Sequence, residues 1–203
     1  MKHCLYSILG TILFFSTINS GSAQMVCSLG AAPMHGVYNQ YSDQNPSPLA
    51  YQEIQTIYRA LCPFGCGQFR LVQNHTVPNA MAMAVGPGQT KISYNPNFMN
   101  RVAYQYGNGA SFGILAHEFG HHIDFHTTPP WMNNSWGREL KADAWAGCAL
   151  AKVGARTEQI KRSLVAIAQY PSQSHPSWPL RHQAIQTGFT QCGGQWLSGF
   201  NNL

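Results

Sequence analysis

Charged side chains are scarce in this 203-residue chain: they make up 9% of it, with twelve Lys and Arg against seven Asp and Glu. They form no run or stripe, although a protein that binds nucleic acid is expected to cluster its positive charge. The net charge of +5 therefore supports weak attraction to acidic surfaces and argues against a nucleic-acid partner.

A long apolar run is also missing. The chain begins with a basic residue, Lys2, followed by an apolar segment over residues 4–15 and by small or polar residues up to Ala23. This apolar segment falls short of the ~20 residues that a spanning helix needs, and the pattern is typical of a secretory signal peptide. We therefore predict a signal peptide over residues 1–23. The mature protein is expected to be secreted or periplasmic, without stable insertion in a membrane.

The remaining chain is predicted to form an irregular arm and one α+β domain. Residues 24–48 are rich in Gly, Asn, Ser, Gln and Pro without periodicity, which predicts the arm, and residues 49–203 contain no internal repeat or second domain boundary. Apolar residues at helical spacing predict helices, and short apolar runs between turn residues predict strands of a small mixed or antiparallel sheet. The predicted helices cover residues 48–61, 98–106, 111–126, 136–153, 158–168 and 181–186, and the predicted strands cover residues 68–72, 79–85 and 91–94.

Five cysteines follow the predicted cleavage site, and in an exported chain they indicate disulfides. They are Cys27, Cys62, Cys66, Cys148 and Cys192. Cys62 and Cys66 are close enough in sequence for a local bridge, one cysteine must remain over, and the connectivity cannot be deduced. A C-x-x-x-C pair can also bind a metal ion, but no second pair of ligands is nearby in the sequence, so a disulfide is favoured.

An H-E-x-x-H motif stands at the centre of the chain, His117-Glu118-Phe119-Gly120-His121. On a helix a spacing of four returns a side chain to nearly the same face, so both imidazoles can bind one metal ion. Apolar residues form a stripe roughly opposite, which can pack and leave the two histidines facing a cleft. His122 and His126 are interpreted as residues of the surface or of the site's surroundings, without an assigned role.

The third metal ligand must come from outside the motif. A catalytic zinc site takes three protein ligands and keeps one position for water. The chain has Asp124 and Thr127 where the pattern H-E-x-x-H-x-x-G-x-x-H requires Gly and His. Glu139 is the candidate, because it lies at the start of a helix that can pack beside the first. Asp143, one turn later, could hold His117 in the correct tautomer; the alternative, with Asp143 as the ligand, remains open.

Four segments in this order resemble the gluzincin metallopeptidases, in particular the family of the heat-shock membrane endopeptidase and the CAAX-processing peptidase. They are the H-E-x-x-H motif, Glu139-Leu140-Lys141-Ala142-Asp143, Pro78-Asn79-Ala80-Met81-Ala82, and Ser174-His175-Pro176 followed by Arg181. The well-known members have several membrane spans, which this chain lacks. It therefore resembles the soluble, exported relatives, and prenylated or membrane substrates are not expected.

The resemblance implies a zincin-like fold, in which a small mixed sheet places an edge strand beside the active-site helix and a mostly helical half follows. It also implies a Zn2+-dependent endopeptidase for peptide or protein substrates, in which zinc activates a water and Glu118 is the general base. His175 could stabilise the oxyanion. Arg181 could assist it or could, with Asp143, support the ligands. Asn79, Ala80, Met81 and Ala82 would bind the substrate backbone, unless they form a buried strand in which Met fills gaps.

Two other functions could use the same residues. One is a non-catalytic zinc-binding or interaction domain, in which a fourth protein group such as Cys148 or His122 completes the coordination. The other is a zinc amidase that hydrolyses cell-wall peptide bonds. Glu118 favours a hydrolase, because retention of zinc does not require a carboxylate between two ligand histidines. The oligomeric state is not predicted.

Overall fold

The computed structural model describes residues 38–127, 135–168 and 176–197. The predicted signal peptide, Cys27 and the first part of the arm lie outside these residues. The described chain has an α+β fold that is mostly helical. Its elements are a 3-10 turn (Gln40–Ser42), α1 (Pro48–Leu61), β1 (Gln68–Gln73), β2 (Ala80–Gly86), β3 (Gln89–Tyr94), α2 (Pro96–Tyr106), α3 (Asn108–Thr127), α4 (Ser135–Lys152), α5 (Thr157–Ala168) and α6 (Trp178–Gln191).

The three strands form one mixed sheet in the order β1-β3-β2. β1 pairs with β3 in parallel, and β2 pairs with β3 antiparallel, so that Ala80 lies opposite Tyr94 and Ala82 opposite Ile92. The turn between β2 and β3 contains Gly88, whose φ of +66° favours glycine. Of the two sheet types left open by the sequence, the mixed one is therefore present, with β2 at one edge.

Helix α3 lies at the centre of the molecule. It packs against α1, α2, α4 and α5 and against strands β2 and β3. All but one of the residues 110–124 are buried, including the polar side chains of the H-E-x-x-H motif. The sequence predicted that the two histidines face a cleft, and in the described residues their side chains are buried, with α4 packed against the same helix. Buried polar groups require partners, so the contacts of these side chains define the site.

The helix starts follow from local capping. Pro48 occupies the first turn of α1, and the Ser47 hydroxyl accepts a hydrogen bond of 3.2 Å from the Ala50 N–H. The predicted bounds of this helix are confirmed. Helix α6 is longer than the predicted residues 181–186, because it begins before Pro179. Pro179 lies in the first turn of α6, where a missing N–H costs no helical hydrogen bond.

The described residues contain two disulfides. Cys62 and Cys66 form the predicted local bridge between α1 and β1, and Cys148 of α4 is bonded to Cys192 directly after α6. Both fit an oxidising compartment. No helix in the described part of the chain combines the length and apolar character that a membrane crossing requires.

Candidate metal centre

The two motif histidines come together on one face of α3. Their Nε2 atoms are 3.1 Å apart, and the two rings meet edge to face. Both imidazoles are buried, with 0% of His117 and 4% of His121 exposed. The spacing of four residues therefore produces the convergence that the motif predicts.

Helix α4 adds the carboxylate of Glu139 to this pair. Its Oε2 lies 3.3 Å from Nε2 of His117, and its Oε1 lies 3.6 Å from Nε2 of His121. One ligand atom from each of the three residues falls within 4.8 Å of the other two. Ligand atoms that bind one tetrahedral zinc at about 2.0–2.1 Å are roughly 3.3 Å apart, so the observed separations fit such an ion.

Asp143 lies at the opposite edge of the His117 ring. Its Oδ1 is 2.8 Å from Nδ1 of His117. With Nδ1–H donating to this carboxylate, Nε2 carries the lone pair that a metal ion needs. This geometry supports Glu139 over Asp143 as the ligand.

Arg181 of α6 fixes the Asp143 carboxylate in turn. Its Nε and Nη2 each donate a hydrogen bond of 2.8 Å to Asp143, and its Nη1 donates one of 3.1 Å to the carbonyl of Ile167. Only 2% of this arginine is exposed. The guanidinium thus contacts the buried Asp143 carboxylate in a two-pronged ion pair, which suits a supporting role.

The close approach of α3 and α4 depends on Gly120, inside the motif. A Cβ at this position would lie 2.8 Å from the Cα of Ala142. Because Gly120 has no side chain and Ala142 a small one, the two helices can come near enough for Glu139 and Asp143 to reach His117. The sequence shows a small residue at both positions, but it does not show that the two residues face each other across the contact of α3 and α4.

Glu118 lies in the same buried region. It is 0% exposed, and no hydrogen bond of good geometry reaches either carboxylate oxygen within the described residues. Burial raises its pKa to about 8, whereas the charge of His117 and the backbone of Ala82 lower it. Helix α3, which carries this carboxylate, packs against the edge strand β2 to which Ala82 belongs. A carboxyl group with a pKa near neutrality can both accept and return a proton.

The electrostatics around His117 and His121 favour a cation. Burial lowers the pKa of both imidazoles. For His121 this effect outweighs the opposing charge of Glu139, and the pKa falls to about 4. For His117 the carboxylates of Asp143 and Glu139 outweigh burial and raise the pKa to about 10. Positive charge is thus stabilised between the two carboxylates, where a divalent ion would also be stabilised.

The remaining predicted site residues are placed as follows. Ala80, Met81 and Ala82 belong to β2 and are buried, and Asn79 precedes the strand with its side chain also buried. His175 lies outside the described residues, so its predicted role is not addressed by the structure.

The surface interpretation of His122 is wrong. Its ring is buried, with Nδ1 2.5 Å from the Thr90 hydroxyl of β3 and Nε2 3.7 Å from Sγ of Cys66. The sequence gives no sign of these contacts, because they depend on the sheet and the disulfide loop lying against α3. Only His126, at the end of the helix, is exposed.

No protein-family model, curated protein or solved structure matches this chain significantly. The chemistry of the site must therefore be argued from its own residues.

Proposed function

We propose that this protein is an exported, zinc-dependent endopeptidase that hydrolyses peptide bonds in peptide or protein substrates. The observation that carries the proposal is the position of Glu118. It is a buried carboxylate without a well-formed hydrogen bond, directly beside a group of two imidazoles and a carboxylate that fits a zinc ion. Desolvating a carboxylate is costly, so its burial beside a metal-binding group indicates a use in catalysis.

The donor set supports zinc. Two histidines and one glutamate form a common ligand set of catalytic zinc sites, which keep a fourth position for water or substrate. A zinc ion held by His117, His121 and Glu139 would supply a Lewis acid and lower the pKa of a water at the site. Asp143 and Arg181 keep His117 in the tautomer and orientation that this binding requires.

Glu118 is the general base of this proposal. It would take a proton from the attacking water and return it to the leaving amine, a role for which a pKa of about 8 in the metal-free protein is within reach of neutral pH. Bound zinc would lower this pKa further, because a nearby positive charge favours the carboxylate.

The edge strand β2 is the proposed substrate-binding element. An extended peptide can add to a free sheet edge through main-chain hydrogen bonds, and the small side chains of Ala80 and Ala82 allow a backbone to approach. The lowering of the Glu118 pKa by the Ala82 backbone supports this proposal, because it indicates that the edge is next to the proposed base.

Two observations favour a hydrolase over a non-catalytic metal-binding domain. Cys148 is bonded to Cys192, and His122 is directed at Thr90 and Cys66, so neither joins the metal group as a fourth ligand. Coordination by three protein groups leaves a position for water.

The test compares the mature wild-type protein with Glu118→Gln, measuring bound zinc and cleavage of an unfolded protein. The variant should bind as much zinc and cleave about 100- to 10,000-fold more slowly, the range expected for loss of a general base. Glu158→Gln is the matched control, because Glu158 is exposed on α5. Equal cleavage by Glu118→Gln and wild type at equal zinc content would refute the assignment.

A further inference from the structure

A second pair of histidines, His122 and His126, lies on another side of α3. They have the same spacing of four residues as the ligand pair, and their rings are in contact with centroids 4.8 Å apart. Facing them is the loop that carries the Cys62–Cys66 disulfide. The fold thus joins a C-x-x-x-C pair and an H-x-x-x-H pair that are far apart in the sequence, and this is the Cys2His2 donor set of structural zinc sites.

The separation of His122 and Cys66 suits a shared ion. Nε2 of His122 lies 3.7 Å from Sγ of Cys66. A nitrogen and a sulfur that bind one tetrahedral zinc, at about 2.0–2.1 and 2.3 Å, are roughly 3.6 Å apart. His126 reaches the same loop, because its Nε2 would lie 2.6 Å from a Cβ at Gly67, the residue that follows Cys66. The missing side chain at Gly67 gives this imidazole its space.

The orientation of His122 is fixed by Thr90, as that of His117 is fixed by Asp143. The Thr90 hydroxyl lies 2.5 Å from Nδ1 of His122, and only 3% of Thr90 is exposed. When Nδ1–H donates to this hydroxyl, Nε2 presents its lone pair towards Cys66. An oxygen partner on the other ring nitrogen is the usual companion of a metal-binding histidine.

We propose that Cys62, Cys66, His122 and His126 form a second metal site, for a soft divalent ion such as zinc, which exists when the two cysteines are reduced and is abolished when their disulfide forms. A dithiol reductant would transfer two hydrogens to the disulfide and itself become a disulfide. The ion would then displace the two thiol protons into solvent and bind both thiolates.

Solvent reaches one side of this group. A cavity of about 310 Å3 opens beside Gly67 and is lined by Gln55, Tyr58, Gly67, Gln68 and Phe69. Cys66 is partly exposed and His126 is exposed, so a reductant and a metal ion can reach the disulfide from solvent, whereas Cys62 is buried.

The experiment uses the mature protein and Co2+ as the probe, because thiolate ligands give cobalt a charge-transfer absorption that nitrogen and oxygen ligands do not. The disulfides are reduced with a phosphine, which takes up the oxygen of a water molecule and adds no competing thiol. The reduced wild type should bind one more equivalent of cobalt than the oxidised protein and show this absorption. The charge-transfer absorption should be absent from the oxidised protein. It should also be absent from the reduced Cys62→Ser/Cys66→Ser variant, which retains Cys148 and Cys192.

His126→Ala distinguishes the proposed site from a site made by the cysteines alone. His126 is exposed, so its replacement should leave the fold intact, yet cobalt affinity at the thiolate site should fall on the order of tenfold or more. His75→Ala, at another exposed histidine, is the control and should leave the affinity unchanged. Undiminished affinity in His126→Ala, a thiolate band that survives Cys62→Ser/Cys66→Ser, or loss of the native circular dichroism when reduction is carried out with cobalt present would each overturn the proposal.

Discussion

Asp143 Oδ1 lies 2.8 Å from Nδ1 of His117, while Nε2 of the same ring faces His121. The His117 ring thus contacts the Asp143 carboxylate with one nitrogen and faces the proposed metal-binding group with the other. We therefore expect the two acidic residues of α4 to have different roles, although they lie one turn apart on the same helix.

Zinc affinity should separate these roles. Glu139→Gln removes a negatively charged ligand. Asp143→Asn retains all three ligands and weakens the partner that Asp143 provides to His117 and to Arg181, which should lower the affinity about 10- to 100-fold. We expect the larger loss from Glu139→Gln, measured by competition with a chelator of known affinity. A larger loss from Asp143→Asn would reverse the assignment of ligand and supporting residue.

The ion pair between Arg181 and Asp143 should matter for stability more than for metal binding. Both side chains are buried, so removing either one leaves a buried charge without its main partner. Arg181→Met is expected to cost about 3–5 kcal/mol in the free energy of unfolding, and Arg181→Met/Asp143→Asn should recover part of that loss. Urea unfolding of chelator-treated protein measures both values.

The exposed Arg156 provides a control for this comparison, because Arg156→Met should change the free energy of unfolding by no more than about 0.5 kcal/mol. If the double variant is less stable than Arg181→Met alone, the two side chains do not act as a compensating pair.

Features of the fold that depend on neighbouring residues could be predicted from the sequence, whereas features that depend on long-range packing could not. The convergence of His117 and His121 follows from one helical turn, and the bounds of α1 follow from Ser47 and a proline, so both could be predicted. The bond between Cys148 and Cys192 spans 44 residues and depends on how α4 and α6 pack, which no local pattern specifies.

The same reasoning explains why the sequence did not predict the burial of the histidines on α3. The apolar stripe predicted which side of the helix packs, but it could not show that α4 and the sheet cover the other side. The sequence therefore leaves His122 either at the surface or in the site's surroundings, and its burial follows from partners such as Thr90 of β3. The charge of a side chain is a weak guide to exposure where several elements surround one helix.

Gly120 provides a test of the helix contact that brings the site together. Gly120→Ala would place a Cβ 2.8 Å from the Cα of Ala142 and force α3 and α4 apart. We expect a loss of about 1–3 kcal/mol in the free energy of unfolding, together with weaker zinc binding, because Glu139 moves with α4.

Gly113→Ala is the matched control for Gly120→Ala. It makes the same substitution on the same helix, but its Cβ would lie 2.6 Å from Cβ of Ser163 on α5, away from the ligands. It should destabilise the protein comparably and leave the zinc affinity unchanged. Equal losses of affinity in both variants would show that general destabilisation, rather than the contact of α3 and α4, determines metal binding.

We expect Glu53 of α1 to make the stability of the fold depend on pH. Burial raises its pKa from 4.5 to about 7, while a hydrogen bond from the Ser111 hydroxyl, with the two oxygens 3.0 Å apart, opposes the shift. The folded state therefore holds a proton that the unfolded chain has already released between pH 4.5 and 7. Because the folded pKa is the higher one, this residue's contribution favours folding most below pH 4.5 and weakens as the pH rises towards 7.

Glu53→Gln should remove this dependence, because glutamine is neutral at every pH. The variant is expected to gain stability relative to wild type as the pH rises from 4.5 to 7, by at most about 3 kcal/mol, since Glu53 is only partly buried. Urea unfolding of both proteins at several pH values gives the difference in their free energy of unfolding. The histidines titrate in both proteins, so their contribution cancels in this difference. The exposed Glu158→Gln should show no such trend, and a difference that stays flat for Glu53→Gln would mean that Glu53 titrates alike in the folded and unfolded chains.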